Sequence, residues 1–232
     1  MLILGIETAT ASAGCAIGGH EGVLAHASSG RGRRHAENLV PAIQFICTQA
    51  QIELSEISVV AVDVGPGLFT GLRVGIATAK SLAYALKVPM IGVPSLDLLA
   101  FPVRFTNRLI AAAIDARRGE LYYAFYRQVP GGIQRIGDHQ VGTPDDLASE
   151  LLLSREEILL VGDGAHRYAE TFEGMSRVEL VDHGFSHPSA NSLVQLAHAR
   201  ALREQFAQPD DVDPIYLRKP DAEINWVTRD RP

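Results

Sequence analysis

Apolar and polar positions follow two periods along this chain, and the order of the periods repeats. Leu2 to Ile6 is an unbroken apolar run closed by Glu7, which predicts a buried strand. The small-residue turn "TATASAG" leads into "CAIGG" and "VLAHA", the next two strands. "RHAENLVPAIQFICTQAQ" then changes to helical spacing, with Leu39, Ile43, Ile46 and Ala50 on one stripe. Pro41 is expected in its first turn, where a missing N–H costs little. "ISVVAVDVG" is a continuous apolar strand, as in a sheet covered on both faces. Beyond the loop "GPGLFTG", Leu72, Ile76, Ala79, Ala83 and Leu86 form the core stripe of a long helix. "PMIGVPS" predicts a short strand running into another helix.

The second half repeats this order. "RLIAAAIDARRGELYYAFYR" reads as strand, turn and strand, with Ile114–Asp115 matching Ile6–Glu7. A polar, glycine-rich stretch follows. "TPDDLASELL" opens a helix with Thr143 as its cap and Pro144 at its first position. "EILLVGDGAHRYAETF" is again strand, glycine turn and helix, and "PSANSLVQLAHARALREQF" is a closing amphipathic helix. The pattern predicts two copies of one α/β unit, residues 1–105 and 106–206, and an irregular tail over 207–232 with a docking segment at Pro214 to Arg218.

Composition narrows the class. The chain has 232 residues, 47% of them apolar and 21% charged, as in an ordinary globular protein. Its two cysteines, Cys15 and Cys47, suit a reducing cytoplasm and not a disulfide scaffold. The N-terminus carries Glu7 and no basic flank, so neither a signal peptide nor a membrane span is expected. A net charge of −6 argues against nucleic acid as a sole direct partner.

The candidate chemistry is sparse. Gly65, Gly67 and Gly71 lie between a strand and a helix, the setting of a phosphate cradle. The loop has no P-loop lysine, and Pro66 removes an N–H that a phosphate would use. The alternative is that these glycines permit a tight turn and close helix–sheet contact. Glu7 and Asp115 stand at corresponding strand ends. They either face each other across a cleft and hold a metal–nucleotide complex, or accept hydrogen bonds from turn amides. His35 and Glu37 form H-x-E without the paired cysteines of a zinc deaminase. His183 and His187 have ligand spacing, but Gly184 and Pro188 predict a loop. No G-x-S-x-G elbow is present. "GRGRRHAE" is a basic cluster that is either a tRNA phosphate contact, a solvated loop or the rim of a protein interface.

The two long helices carry residues that their core stripes do not use. These are Asn38, Ala42 and Phe45 on the first, and Arg73, Val74, Ala77, Ser81 and Tyr84 on the second. Gly71, Gly75, Ala79 and Ala83 recur every four residues and would let another backbone come close. Either a neighbouring segment covers these faces or a partner does.

The segments "ILGIETAT", "RRHAENLVPAI", "VGPGLFTGLRVGIATAKSLA", "VPSLDLLA", "DARRGELYYAFY", "GDGAHRY" and "PIYLR" occur in this order, and with them the chain resembles the TsaB (YeaZ) family of bacterial tRNA threonylcarbamoyladenosine biosynthesis proteins. The resemblance implies an actin-like ASKHA fold of two ribonuclease-H-like domains. It also implies a cytoplasmic, non-catalytic subunit that pairs with the transferase TsaD and works with the ATPase TsaE, meets tRNA only through that complex, and forms a homodimer when alone. TsaD moves a threonylcarbamoyl group, made by TsaC, onto N6 of the adenosine 3′ of the anticodon. TsaD-like proteins hold a metal through H-x-x-x-H on a helix, a motif absent from the helix near His35, so no metal or cofactor is expected here. The implied partner interface comprises Arg34, His35, Asn38, Ala42, Phe45, Phe69, Arg73, Val74, Ala77 and Ser81. Glu7, Thr8, Gly65, Gly67, Asp115, Gly162 and Gly164 would line a degenerate nucleotide cleft. The rival readings are a small ASKHA phosphotransferase or ATPase and a metallopeptidase-like hydrolase.

Overall fold

The computed structural model describes residues 1–30 and 35–218, apart from the side chains of residues 35 and 36. Strands β1 (Leu2–Glu7), β2 (Ala13–Gly19) and β3 (Gly22–Ser29) form an antiparallel meander. Helix α1 (His35–Ala50) crosses to β4 (Ile57–Asp63), which pairs parallel with β1. Helix α2 (Phe69–Leu86) then leads to β5 (Met90–Val93), parallel to β4. The order is β3-β2-β1-β4-β5. After α3 (Ser95–Ala100), strands β6 (Leu109–Arg117), β7 (Glu120–Val129), β8 (Gly132–Gly142), β9 (Ile158–Val161) and β10 (Val178–Leu180) take the order β10-β9-β6-β7-β8. This is the first order again, with β6 in the place of β1. The duplicated sheet is the α/β arrangement expected of an actin-like fold with two ribonuclease-H-like units.

Alternation along each strand divides the core by face. Leu4 and Ile6 face α1 and α2, joining Leu39, Ile43, Ile46, Ile76, Ala79 and Ala83. Ile3, Val59 and Ala61 point the other way, toward α7 (Ala190–Ala201). In the second sheet, Ala111, Ala113 and Tyr123 face α4 (Pro144–Leu153), while Ile110, Ala112 and Tyr126 meet Leu96 and Leu99 of α3. Each unit therefore lends one helix to the other: α3 covers the second sheet and α7 the first. A boundary at 105/106 separates the strands but not these helices, since α7 buries its Leu193, Val194 and Ala197 on β1 and β2. Continuous apolar strands need both faces covered, and the exchange supplies the second cover.

Local signals behave as their chemistry dictates. Thr143 caps α4, with its hydroxyl accepting from Asp146 N at 3.2 Å and Asp146 Oδ2 accepting from Thr143 N at 2.8 Å. Three expectations are corrected. Pro41 lies inside α1, past its first turn, so the carbonyl of Glu37 loses its helical donor. The polar stretch after Val129, for which the sequence named no element, is a strand, β8, at the sheet edge and largely exposed. The helix after β9 is broken into α5 (Asp163–Arg167) and α6 (Ala169–Phe172) at Tyr168, whose φ/ψ of −114/31 is not helical. The Gly71, Gly75, Ala79, Ala83 ridge is buried against this chain's own sheet and leaves no room there for a second backbone.

Candidate functional site

Two places gather the residues singled out by sequence: the turns at the ends of β1, β4, β6 and β9, and the outer face of α1 and α2.

At the first, the β1 turn and the glycine loop hold each other. Glu7 Oε1 accepts from Ala9 N at 2.8 Å, and Ala9 O accepts from Leu68 N at 2.7 Å. Thr8 Oγ1 donates to Gly71 O at 2.8 Å. Gly65 has a φ of +96°, a conformation side chains disfavour, and its N–H donates to Asp63 Oδ1 at 2.8 Å. A methyl at Gly67 would stand 2.3 Å from Ala9 O. The glycines thus serve a tight turn and close contact between loop and sheet.

The corresponding acids are each engaged inside their own unit. Glu7, 1% exposed, lies near Asp63, which also accepts from Ser95 Oγ at 2.5 Å. Burial, and then the negative charge of Asp63, pushes Glu7 well above the usual carboxylate range. Burial lifts Asp63 to about 7, against the Ser95 hydroxyl and the Gly65 amide that favour its charged form. Asp115 Oδ1 accepts from Arg117 N at 2.9 Å, and its Oδ2 faces Arg117 Nη1 at 3.1 Å and Arg167 Nε at 3.5 Å. Asp163, raised by burial, accepts from Asp115 N at 3.1 Å. Both strand-end acids therefore accept turn amides, the second of the alternatives read from the sequence. Gly162, at a φ of +116°, and Gly164 let the second turn pass against β6. Their methyls would meet Ala113 O at 2.1 Å and Asp115 N at 2.9 Å.

Beside Glu7 opens a cavity of about 230 Å³, lined among others by Ser12, His26, His183, His187 and Asn191. His183 lies in a short 3-10 turn and stacks on His166 with centroids 3.8 Å apart. His187 Nδ1 stands 3.9 Å from Asp163 Oδ2. The structure brings the two histidines to one cavity wall but not to one helix. Among the described residues, no group of three or more His, Cys, Asp or Glu side chains is arranged to hold a metal ion.

The second place is the helical face. Asn38, Phe45, Arg73, Ala77 and Ser81 are exposed, while Ala42, Phe69 and Val74 are half-buried. Phe45 is 55% exposed and Tyr84 52%, a high value for aromatic rings on neighbouring helices. Arg73 stacks 3.8 Å over the Phe69 ring. Arg34 and the basic cluster of Arg31 and Arg33 lie outside the described residues, as does the side chain of His35. The sequence did not single out Val40, an exposed apolar residue of α1. The docking segment expected at Pro214 to Arg218 sits on this chain itself, where Tyr216 lies against Phe69 with centroids 5.3 Å apart. Val40 was visible as an apolar residue off the stripe, whereas the expected docking segment named no contact for Tyr216.

A family model described as TsaD, tRNA N6-adenosine threonylcarbamoyltransferase, matches residues 23–226. The chain is 31% identical to the tRNA threonylcarbamoyladenosine biosynthesis protein TsaB of Escherichia coli, over 94% of this chain and 95% of that one. It is 34% identical to an uncharacterized Mycobacterium leprae protein, covering 95% of this chain but only 56% of that longer one. The solved structure of YeaZ from Pseudomonas aeruginosa superposes with a TM-score of 0.80 at 27% identity, covering 93% of this chain and 99% of that one. The chain belongs to the TsaB (YeaZ) family of tRNA threonylcarbamoyladenosine biosynthesis proteins.

Proposed function

We propose that this chain is the non-catalytic partner and scaffold of the TsaD transferase. It acts with the TsaE ATPase in placing a threonylcarbamoyl group on N6 of the adenosine 3′ of the anticodon. The observation that carries the reading is the outer face of α1 and α2. There Phe45 of α1 and Tyr84 of α2 are half-exposed, and the small residues Ala77 and Ser81 of α2 are exposed. Two such helices laid against an equivalent pair make a four-helix packing, and small residues permit the close approach. Burying Phe45 would contribute about 1.5–3 kcal/mol. The same face serves a homodimer when the chain is alone.

The cleft supports the scaffold reading. Ala9 and Leu68 use each other's backbone groups, and the carboxylates are occupied within their own units. A net charge of −6 favours reaching tRNA through the complex and not directly, and the two cysteines suit the cytoplasm. The test is co-purification with TsaD, followed by a tRNA modification assay in which each subunit is omitted in turn. The reading requires that product depend on this chain, and that the chain alone neither turn over ATP nor modify tRNA. Calorimetric titration with magnesium-ATP that showed tight binding, abolished by Glu7→Ala or Asp115→Ala, would replace it with the phosphotransferase reading.

A further inference from the structure

The last described stretch of chain begins on the first unit and ends on the second. Ala207 exchanges backbone hydrogen bonds with Met90 at the edge of the first sheet, at 2.9 and 3.0 Å. Val212 is buried in the core that also holds Leu39 and Ile76. Ile215 N donates to Val64 O at 2.7 Å, directly over the glycine loop, and its carbonyl would lie 3.1 Å from a methyl at Gly65. Tyr216 then lies against Phe69, and its hydroxyl accepts from Arg73 Nε at 3.4 Å. The next residue, Leu217, packs on the core of the second sheet. Arg218 Nη1 donates to Glu120 Oε2, at the start of β7, at 2.7 Å.

A different joint already ties the units together. Arg200 of α7 donates to Asp97 Oδ2 of α3 at 3.1 Å, and Tyr126 Oη of β7 donates to Asp97 Oδ1 at 3.0 Å. That joint lies on the face of the first sheet covered by α7, whereas Val212 and Ile215 belong to the face covered by α1 and α2. A link on one face alone leaves the units free to hinge about it. Links on opposite faces remove that freedom, because opening one side must break the other.

We infer that residues 212–218 form a strap that sets the angle between the two units and, in doing so, fixes the Phe69–Arg73 corner of α2 under Tyr216. Glu120 and Arg218 are its anchor on the second unit. The strap also accounts for the state of the glycine loop, whose outer side is occupied by the chain's own Ile215. This inference concerns the chain alone and holds whether or not α2 docks a partner.

Pulsed electron resonance on a doubly labelled chain tests it. Spin labels at the exposed positions Glu21→Cys and Glu173→Cys report the distance between units, in a Cys47→Ala background that leaves only the buried Cys15. The reversals Glu120→Arg and Arg218→Glu each place like charges at the anchor. Each should broaden the distance distribution about twofold and raise hydrogen exchange at the Ile215 amide about tenfold, with the melting temperature nearly unchanged. The double reversal, Glu120→Arg with Arg218→Glu, rebuilds the pair and should restore both readouts. Distributions as narrow in the single reversals as in the wild type would overturn the inference. So would a double reversal that stays as broad as the singles.

Discussion

Replacing Gly75 with alanine should destabilise this protein, although alanine is the better helix former. In the interior of α2, glycine costs about 1 kcal/mol relative to alanine. Gly75 faces β1, however, and a methyl built on it would stand 2.2 Å from Thr8 Oγ1. Thr8 has no easy retreat. It is 1% exposed, its hydroxyl is bonded to Gly71 O at 2.8 Å, and rotation about its stiff χ1 would break that bond. Either α2 lifts off the sheet or the Thr8 bond breaks, at a cost of about 1–3 kcal/mol. After the propensity gain, the net loss is about 1 kcal/mol, or roughly 2–4 °C in Tm for a chain of this size. The decisive form of the experiment is a double-mutant cycle followed by urea unfolding. Thr8→Ala removes the obstructing oxygen, so in that background Gly75→Ala should be neutral or stabilising by up to about 1 kcal/mol. An alanine at position 75 that stabilises the wild-type background would refute the reasoning. So would a coupling energy within about 0.3 kcal/mol of zero.

Asp63→Asn should gain stability relative to the wild type as pH rises. Burial raises Asp63 to about 7 in the folded chain, whereas the unfolded chain releases that proton near pH 4, about the ordinary aspartate value. Between those values the folded state binds more protons, so wild-type stability falls as pH rises. Urea midpoints of both proteins between pH 4 and 8 check it, and parallel curves would contradict it. Gly162→Ala should cost more than about 3 kcal/mol, since the site combines a φ of +116° with a 2.1 Å approach to Ala113 O. Its soluble yield and melting curve measure the loss. Filter binding of tRNA to the isolated chain should be weak at physiological salt, as a net charge of −6 implies. Tight binding that falls steeply with salt and disappears when Arg31, Arg33 and Arg34 are neutralised would show a direct site.

The parts of the fold legible in the sequence are those where burial is complete. β1, β4 and β6 are apolar on both faces, and the strand-end acids Glu7 and Asp115 mark the same corner of each unit. The repeat could therefore be read directly. β8 could not, because an exposed edge strand needs no apolar alternation, and β10, Val178–Leu180, is too short to show a period. Nor does any local pattern disclose that α7 crosses to the first sheet, since its stripe is the same whichever sheet it meets. On α2, the four-residue recurrence of small residues correctly marks close packing but not its direction. Thr8, and not a partner, is what Gly75 approaches. The exposed Phe45 was readable from helical phase alone, because it lies off the stripe of Leu39, Ile43 and Ile46.

Pairing of the Phe45→Asp chain with TsaD, measured by size-exclusion chromatography, tests whether the outer face of α1 and α2 is where the partner docks. Phe45 is 55% exposed and absent from the buried core, so circular dichroism should show an intact fold. An aspartate in the proposed docking face would be desolvated without a mate, which weakens pairing many-fold. Docking through α1 and α2 predicts a folded chain that elutes apart from TsaD and no longer supports tRNA modification. A folded variant that still co-elutes and supports modification would contradict it and move the working surface away from α1 and α2.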